Sequence, residues 1–221
     1  MLLIEYRIKL PIEFSKYHIG HLYSIIEMSK EYTSKNEGVE ILENTFCDDA
    51  RLPNQKKSKG IEKIQRTSKR YYIPDSLVSE IGMSGCILKE IEYNGFPNMR
   101  TTFTDETGTE FVIDTICKEI SDLKNSDNIF RLPRYMLDKR EIVEINVDES
   151  EHSMIVYKLL MINDMEQKIS SFIVKTLTNA FTLSHKKLIE TFNTWNVLTI
   201  EDIRKMEIDL KDILDQKRSS F

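Results

Sequence analysis

No apolar run of about 18 residues, the length at which a membrane helix is first suspected, occurs in this 221-residue chain. The opening MLLIEYRIKL carries a charge every few residues, which fits neither a membrane span nor a secretory signal, so a cytoplasmic location is expected. Cysteine is scarce. Cys47, Cys86 and Cys117 are an odd set without CxxC spacing, each in a strand-like stretch, and they read as reduced, mostly buried thiols. His18, His21, His152 and His185 are scattered, so no metal site is expected. The P-loop, GxGxxG, GxSxG and HExxH patterns are all missing, and no cysteine stands in a basic or helix-start context that would activate it. Catalysis is therefore not expected. There is no excess of basic charge either: a net charge of −5 argues against a general nucleic-acid binder, though a local basic patch stays open. Without repeats, low-complexity tracts or a long linker, residues 1–221 read as one domain.

What is present is ordinary in bulk, 40% hydrophobic and 30% charged, and ordered in detail. Leu2, Ile4, Tyr6, Ile8 and Leu10 alternate with Glu5, Arg7 and Lys9, the signature of a half-buried strand ending at Pro11. A helical pattern over 15–33 closes at Asn36-Glu37-Gly38, and a strand over 38–47 follows. Beyond a polar loop at 48–60, strands are predicted near 61–72, 86–93, 98–105, 109–117 and 141–148. Residues 74–85 read as a short helix or flap with Leu77, Val78, Ile81 and Met83 partly exposed. A long helix is predicted over 166–195. A last helix starts at the capping box Thr199-Ile200-Glu201-Asp202 and turns Ile203, Met206, Leu210, Ile213 and Leu214 inward. The expected fold is α+β, an antiparallel sheet with two long C-terminal helices laid across it.

Polar residues interrupt the apolar faces. Lys158 stands in the strand face Met154-Val156-Lys158-Leu160-Ile162, and Glu207 lies on the apolar stripe of the last helix. Burying either ion alone would cost several kcal/mol or force it to neutralise. The two either pair with each other, or snorkel to the surface, or Lys158 meets an anionic group of a buried ligand. Thr101 shares a face with Met99 and Phe103, and Thr115 and Cys117 share one with Phe111 and Ile113, which suggests a lined interior. The run Lys56, Lys57, Lys59, Lys63, Arg66, Lys69 and Arg70 is a solvated loop and strand edge, or a surface for anionic headgroups.

Several long strings, EYRIKLP, YHIGHLYSIIEMSK, GVEIL with Asn44, YNGFPNMRT and LTIEDIRKME, occur in an order that resembles the phosphatidylinositol transfer protein family, of the single-domain kind. The resemblance spans nearly the whole chain. It implies a START-like helix-grip fold, in which a concave antiparallel β-sheet and long helices enclose a lipid cavity. The implied activity is exchange of one phospholipid, phosphatidylinositol and also phosphatidylcholine, by a monomer that touches membrane surfaces transiently. The phospholipid is cargo, and no cofactor and no nucleic acid is implied. Acyl chains in water cost about 0.8 kcal/mol per methylene, so such cargo needs an apolar interior.

By the same resemblance, Lys158 meets the lipid phosphate with Thr101 nearby, and Asn94 and Glu207 bond the inositol ring. His21 replaces a family glutamine near the phosphate, and Cys117 falls at a family threonine, two residues from Thr115. Lys63 matches either of two inositol-contacting positions on the third strand, and no threonine occupies the other. Met99 replaces a family cysteine, DESEHS is all that remains of a regulatory segment, and Asn163-Asp164-Met165 stands in place of paired membrane-inserting tryptophans. Docking is then expected to use the Leu77 to Met83 flap and basic residues. Rival readings are a carrier of another lipid, such as phosphatidic acid or phosphatidylcholine alone, and a lipid sensor that presents its ligand to a kinase.

Overall fold

The computed structural model describes residues 1–48, 52–53, 64–81, 85–122 and 126–219. Its strands are β1 (Leu2–Leu10), β2 (Gly38–Cys47), β3 (Ile64–Tyr72), β4 (Ile87–Gly95), β5 (Asn98–Asp105), β6 (Glu110–Glu119), β7 (Glu141–Asn146) and β8 (Met154–Ile162). The helices are α1 (Phe14–Glu31), α2 (Asp75–Val78), α3 (Arg134–Leu137), α4 (Gln167–Glu190), α5 (Phe192–Trp195) and α6 (Ile200–Ser219). The strands form one eight-stranded sheet in the order β2-β3-β4-β5-β6-β8-β1-β7. Strands β2 to β6 are a meander of hairpins, and β8 returns beside β6 so that β1 can pair with it. Every pairing is antiparallel except one. β7 lies parallel to β1, a difference from the all-antiparallel expectation, because β7 reaches the free edge of β1 over a connection long enough to reverse direction.

Alternation in β1 places Ile4, Tyr6, Ile8 and Leu10 on the concave face, where they join Leu22 and Ile26 of α1, Phe181 and Leu188 of α4, and Ile203, Leu210 and Leu214 of α6 in the main core. The opposite face of the same strands is not wet. Leu3, Ile116, Ile155, Tyr157 and Leu159 pack with Phe130 in a second cluster, and Glu5 is enclosed there by Arg7 and Arg140. β8 is therefore buried on both sides, which explains its nearly continuous apolar sequence.

Gly20 lets α1 pass close under the indole of Trp195, since a Cβ there would lie 2.8 Å from the ring. Trp195 is anchored in turn by donating from Nε1 to the Leu188 carbonyl oxygen at 2.7 Å. The helix predicted over 166–195 breaks at Thr191, whose hydroxyl donates back to the Lys187 carbonyl oxygen at 2.7 Å and bends the chain into α5. The capping box forms as predicted: Asp202 accepts from Thr199 N–H and Oγ1, and Thr199 Oγ1 accepts from Asp202 N–H. In the 74–81 segment Leu77 is exposed, but Val78 is buried, contrary to expectation, because α2 turns that side chain toward the protein; Met83 lies outside the described residues. A sheet whose concave face is crossed by α1, α4 and α6 is the α+β helix-grip arrangement.

Candidate lipid-binding site

Residues directly opposite each other in neighbouring strands share a face, so the register writes out the concave surface row by row. One row runs Lys158 (β8), Thr115 (β6), Met99 (β5), Asn94 (β4) and Gln65 (β3). The next runs Leu160, Ile113, Thr101, Glu92 and Thr67, and a third runs Ile162, Phe111, Phe103, Glu90 and Lys69. The face is thus divided. Its β6–β8–β1 side is apolar apart from Lys158 and Thr115, while its β3–β4 side is almost wholly polar.

Lys158 is 8% exposed, and among the described residues its Nζ makes a single hydrogen bond, to Thr115 Oγ1 at 3.3 Å. Nζ also lies 5.0 Å from the centroid of the Phe181 ring, a cation–π contact from α4. Burial holds the ammonium below its usual pKa, with Cys117 and Glu92 only partly opposing. An ammonium has three donors, and two here lack an acceptor among the described residues. Around it stand groups kept neutral. His21 is held well below the usual imidazole range by burial and then by Lys158. His185, whose Nε2 lies 3.3 Å from Tyr17 Oη, is pushed down to about 3 by burial and Lys158. Cys117, two residues from Thr115 on the same strand face, is fully buried and its thiol is pushed up to about 12.

The polar end is built from three elements. Gln65 Nε2 donates to Asn44 Oδ1 at 2.8 Å and to Glu207 Oε1 at 3.0 Å, and Asn44 Nδ2 donates to Glu207 Oε2 at 3.4 Å. Arg204, one turn earlier on α6, closes on Glu207 at 2.6 Å. Glu207 is therefore not the partner of Lys158, and the direct ion pair between them does not form: α6 packs on β2 and meets β3 at Gln65, at the far side of the face from β8. Asn94 is 7% exposed and its Oδ1 is buried without a hydrogen-bond partner among the described residues. His18 Nε2 is in the same condition; the ring stacks on Phe96 at 4.9 Å and is pushed down to about 4 by burial and Arg204.

Of the residues singled out in sequence, Lys158, Thr101, Thr115, Asn94 and Cys117 thus share the concave face, with Glu207 reaching it from α6 and His21 from α1. Lys63 lies outside the described residues. Gln65 and Glu92 were not singled out, and Asn44 entered only as part of a family string, without a site role; strict alternation along IQRTSKRYY puts Gln65, Thr67 and Lys69 on one face and is the signal that could have found the first. The basic run needs correction where it is described. Arg66 pairs with Glu43 and Arg70 with Glu40, and Lys69 points inward, 7% exposed, with its Nζ 2.8 Å from Glu90. Those three cations do not form an open anionic-headgroup surface, because each already faces a carboxylate on a neighbouring strand.

The family model for phosphatidylinositol transfer protein matches residues 1–158 and 146–212. The human phosphatidylinositol transfer protein beta isoform is 26% identical over 267 aligned residues, covering 99% of this chain and 95% of the relative. Phosphatidylinositol transfer protein 1 of Dictyostelium discoideum is 24% identical, with 98% and 96% covered. Cytoplasmic phosphatidylinositol transfer protein 1 of Mus musculus is 24% identical, over 100% of this chain and 76% of its own length.

Proposed function

The chain belongs to the phosphatidylinositol transfer protein family, and on that premise we propose that it is a monomeric, non-enzymatic phospholipid carrier. It encloses one phospholipid between the concave sheet and the helices and exchanges it at membrane surfaces. The observation that carries this is Lys158: a buried amine with one weak hydroxyl partner, on an otherwise apolar strand face, is a site that an anionic group of a ligand would complete as an ammonium. A lipid phosphate does so, with Thr115 and Thr101 beside it, while the acyl chains lie over Ile113, Phe111, Leu160 and Phe103. The headgroup then extends along the row toward Asn94, Gln65 and Glu207, where the open Asn94 Oδ1 and the Gln65–Glu207 network suit a hydroxylated ring. His21 borders the phosphate as a neutral imidazole, and Cys117 contributes shape as a protonated thiol.

Phe96, Thr101, Phe103 and Glu92 retain partial exposure, as side chains bordering a space for cargo would. Exposed Leu77, on the short helix α2, is the apolar residue offered to a membrane during exchange. No helix among the described residues is long and apolar enough to cross a membrane. The test is vesicle-to-vesicle transfer of labelled phosphatidylinositol and phosphatidylcholine by wild type, Lys158→Ala and Glu207→Ala. Wild type should move inositol lipid, Lys158→Ala should lose both lipids, and Glu207→Ala should lose inositol lipid selectively. A wild type that moves no phospholipid sinks the carrier reading.

A further inference from the structure

The charges on the concave face do not all find partners among themselves. Lys69 and Glu90 form one close pair at 2.8 Å, with Tyr71 Oη donating to the same Glu90 carboxylate at 2.9 Å. Arg204 and Glu207 form another at 2.6 Å. Lys158 and Glu92 remain. Glu92 has only the longer 3.7 Å approach to an ammonium already engaged by Glu90, and among the described residues it accepts no hydrogen bond. Burial raises its carboxyl pKa, as burial lowers that of Lys158, and each feels the other's field without contact.

Glu92 stands directly opposite Thr101, the threonine next to the phosphate position, and two residues from Asn94 on the same face of β4. Among the described residues the buried Asn94 Oδ1 also lacks a donor. Beside the cation that takes the phosphate there are consequently two acceptors without a donor among the described residues, one of them a carboxyl whose nearest cation, Lys69, stands at 3.7 Å and is shared with Glu90. Thr101 and Glu92 sit on adjacent strands, about 4.8 Å apart in backbone, comparable with the two-carbon bridge between a phosphate and an amine, whereas Lys158 stands three strands from Glu92 and has to meet the phosphate from the other side through its long side chain.

Resting on the carrier reading above, we propose that Lys158 and Glu92 are the two poles of a subsite for zwitterionic phospholipids ending in a primary ammonium. The phosphate sits at Lys158 and Thr101, and the ammonium sits between Glu92 and Asn94 Oδ1. An ethanolamine headgroup supplies three N–H donors and a positive charge. Choline supplies the charge but no donor, and inositol supplies donors but leaves the Glu92 charge unanswered. Glu92 is in this sense a specificity residue of the same site.

The experiment offers the full chain vesicles containing equimolar phosphatidylethanolamine, phosphatidylcholine and phosphatidylinositol. Bound lipid is identified by mass spectrometry and transfer of each labelled lipid is measured. Wild type should capture and move the ethanolamine lipid, in preference to the choline lipid. Glu92→Gln should lower the ratio of ethanolamine to inositol lipid transferred by about tenfold, the loss expected for a charge-assisted hydrogen bond, while Glu92→Asp keeps most of it. Circular dichroism melting of each variant separates a changed preference from a failed fold. A wild type that moves inositol lipid but no ethanolamine lipid, or a ratio unchanged in folded Glu92→Gln, overturns the subsite and leaves the carrier reading standing. A wild type that moves no phospholipid overturns both.

Discussion

Lys69 and Lys158 are the same residue type on the same concave face, 7% and 8% exposed, and they are opposites electrostatically. Burial would push Lys69 down, but Glu90, Tyr71 and Glu92 hold its ammonium well above the ordinary lysine range. Lys158 has a hydroxyl and a phenyl ring, and its pKa falls. A buried cation that brings its own counter-ion is part of the scaffold, whereas one that lacks it marks where a ligand completes the structure. Lys69 on β3 is thus completed by the scaffold, and Lys158 on β8 is not.

The sharpest way to break this contrast is to remove each lysine and measure unfolding without lipid. Lys69→Met strands Glu90, 5% exposed, beside Glu92, and should cost about 3–5 kcal/mol in denaturant melts. Lys158→Met removes a charge with no counter-ion and should leave stability unchanged or raise it, although phosphate binding is lost. Equal destabilisation by both would erase the distinction.

A middle-sized effect concerns pH. His18 and His185 are held neutral in the fold, with pKa values lowered to about 4 and about 3. Unfolded histidine binds its proton near 6.5, so above that pH neither group contributes. As pH falls below it, the unfolded state gains protons that the fold refuses. Lipid-free stability should decline from about pH 6.5 toward pH 4 by up to about 1.4 kcal/mol per pH unit for each histidine. Because Lys158 is part of what holds His185 down, Lys158→Met should raise the pH at which the decline levels off, and an unaltered lower limit would show that burial alone sets it. The smallest effect is at Gln65: Gln65→Ala removes its bonds to Asn44 and Glu207 and should cost about 1 kcal/mol in melts while loosening headgroup selectivity in transfer. A selective loss of stability with unchanged selectivity would make Gln65 scaffold, like Lys69.

Most elements were legible in sequence because their patterns are local. The period-2 face of β1, the helical stripe of α6 and its Thr199–Asp202 cap each need only neighbouring residues. So was the oddity of Lys158, since one charge in a face of Met154, Val156, Leu160 and Ile162 is visible without any partner. The misreadings arose where partners are distant. Lys69 looked like one cation in a basic run because Glu90 is twenty-one residues away and one strand over. Val78 looked exposed because nothing local shows what α2 turns toward. Gln65, an unremarkable polar residue in a strand, and Asn44, named only within a family string, became part of the site when α6 brought Glu207 against them.

Alternation, helical periodicity and the extended family strings specify which elements form, which face of each is buried, and that a charge stands where apolar residues should. Which charges neutralise one another was left to the tertiary structure. Strand register decides that Lys69 meets Glu90, and the packing of α6 on β2 decides that Glu207 meets Arg204 and Gln65 and not Lys158. Ion pairing depends on a few ångströms between groups far apart in the chain, and only the folded arrangement sets those distances.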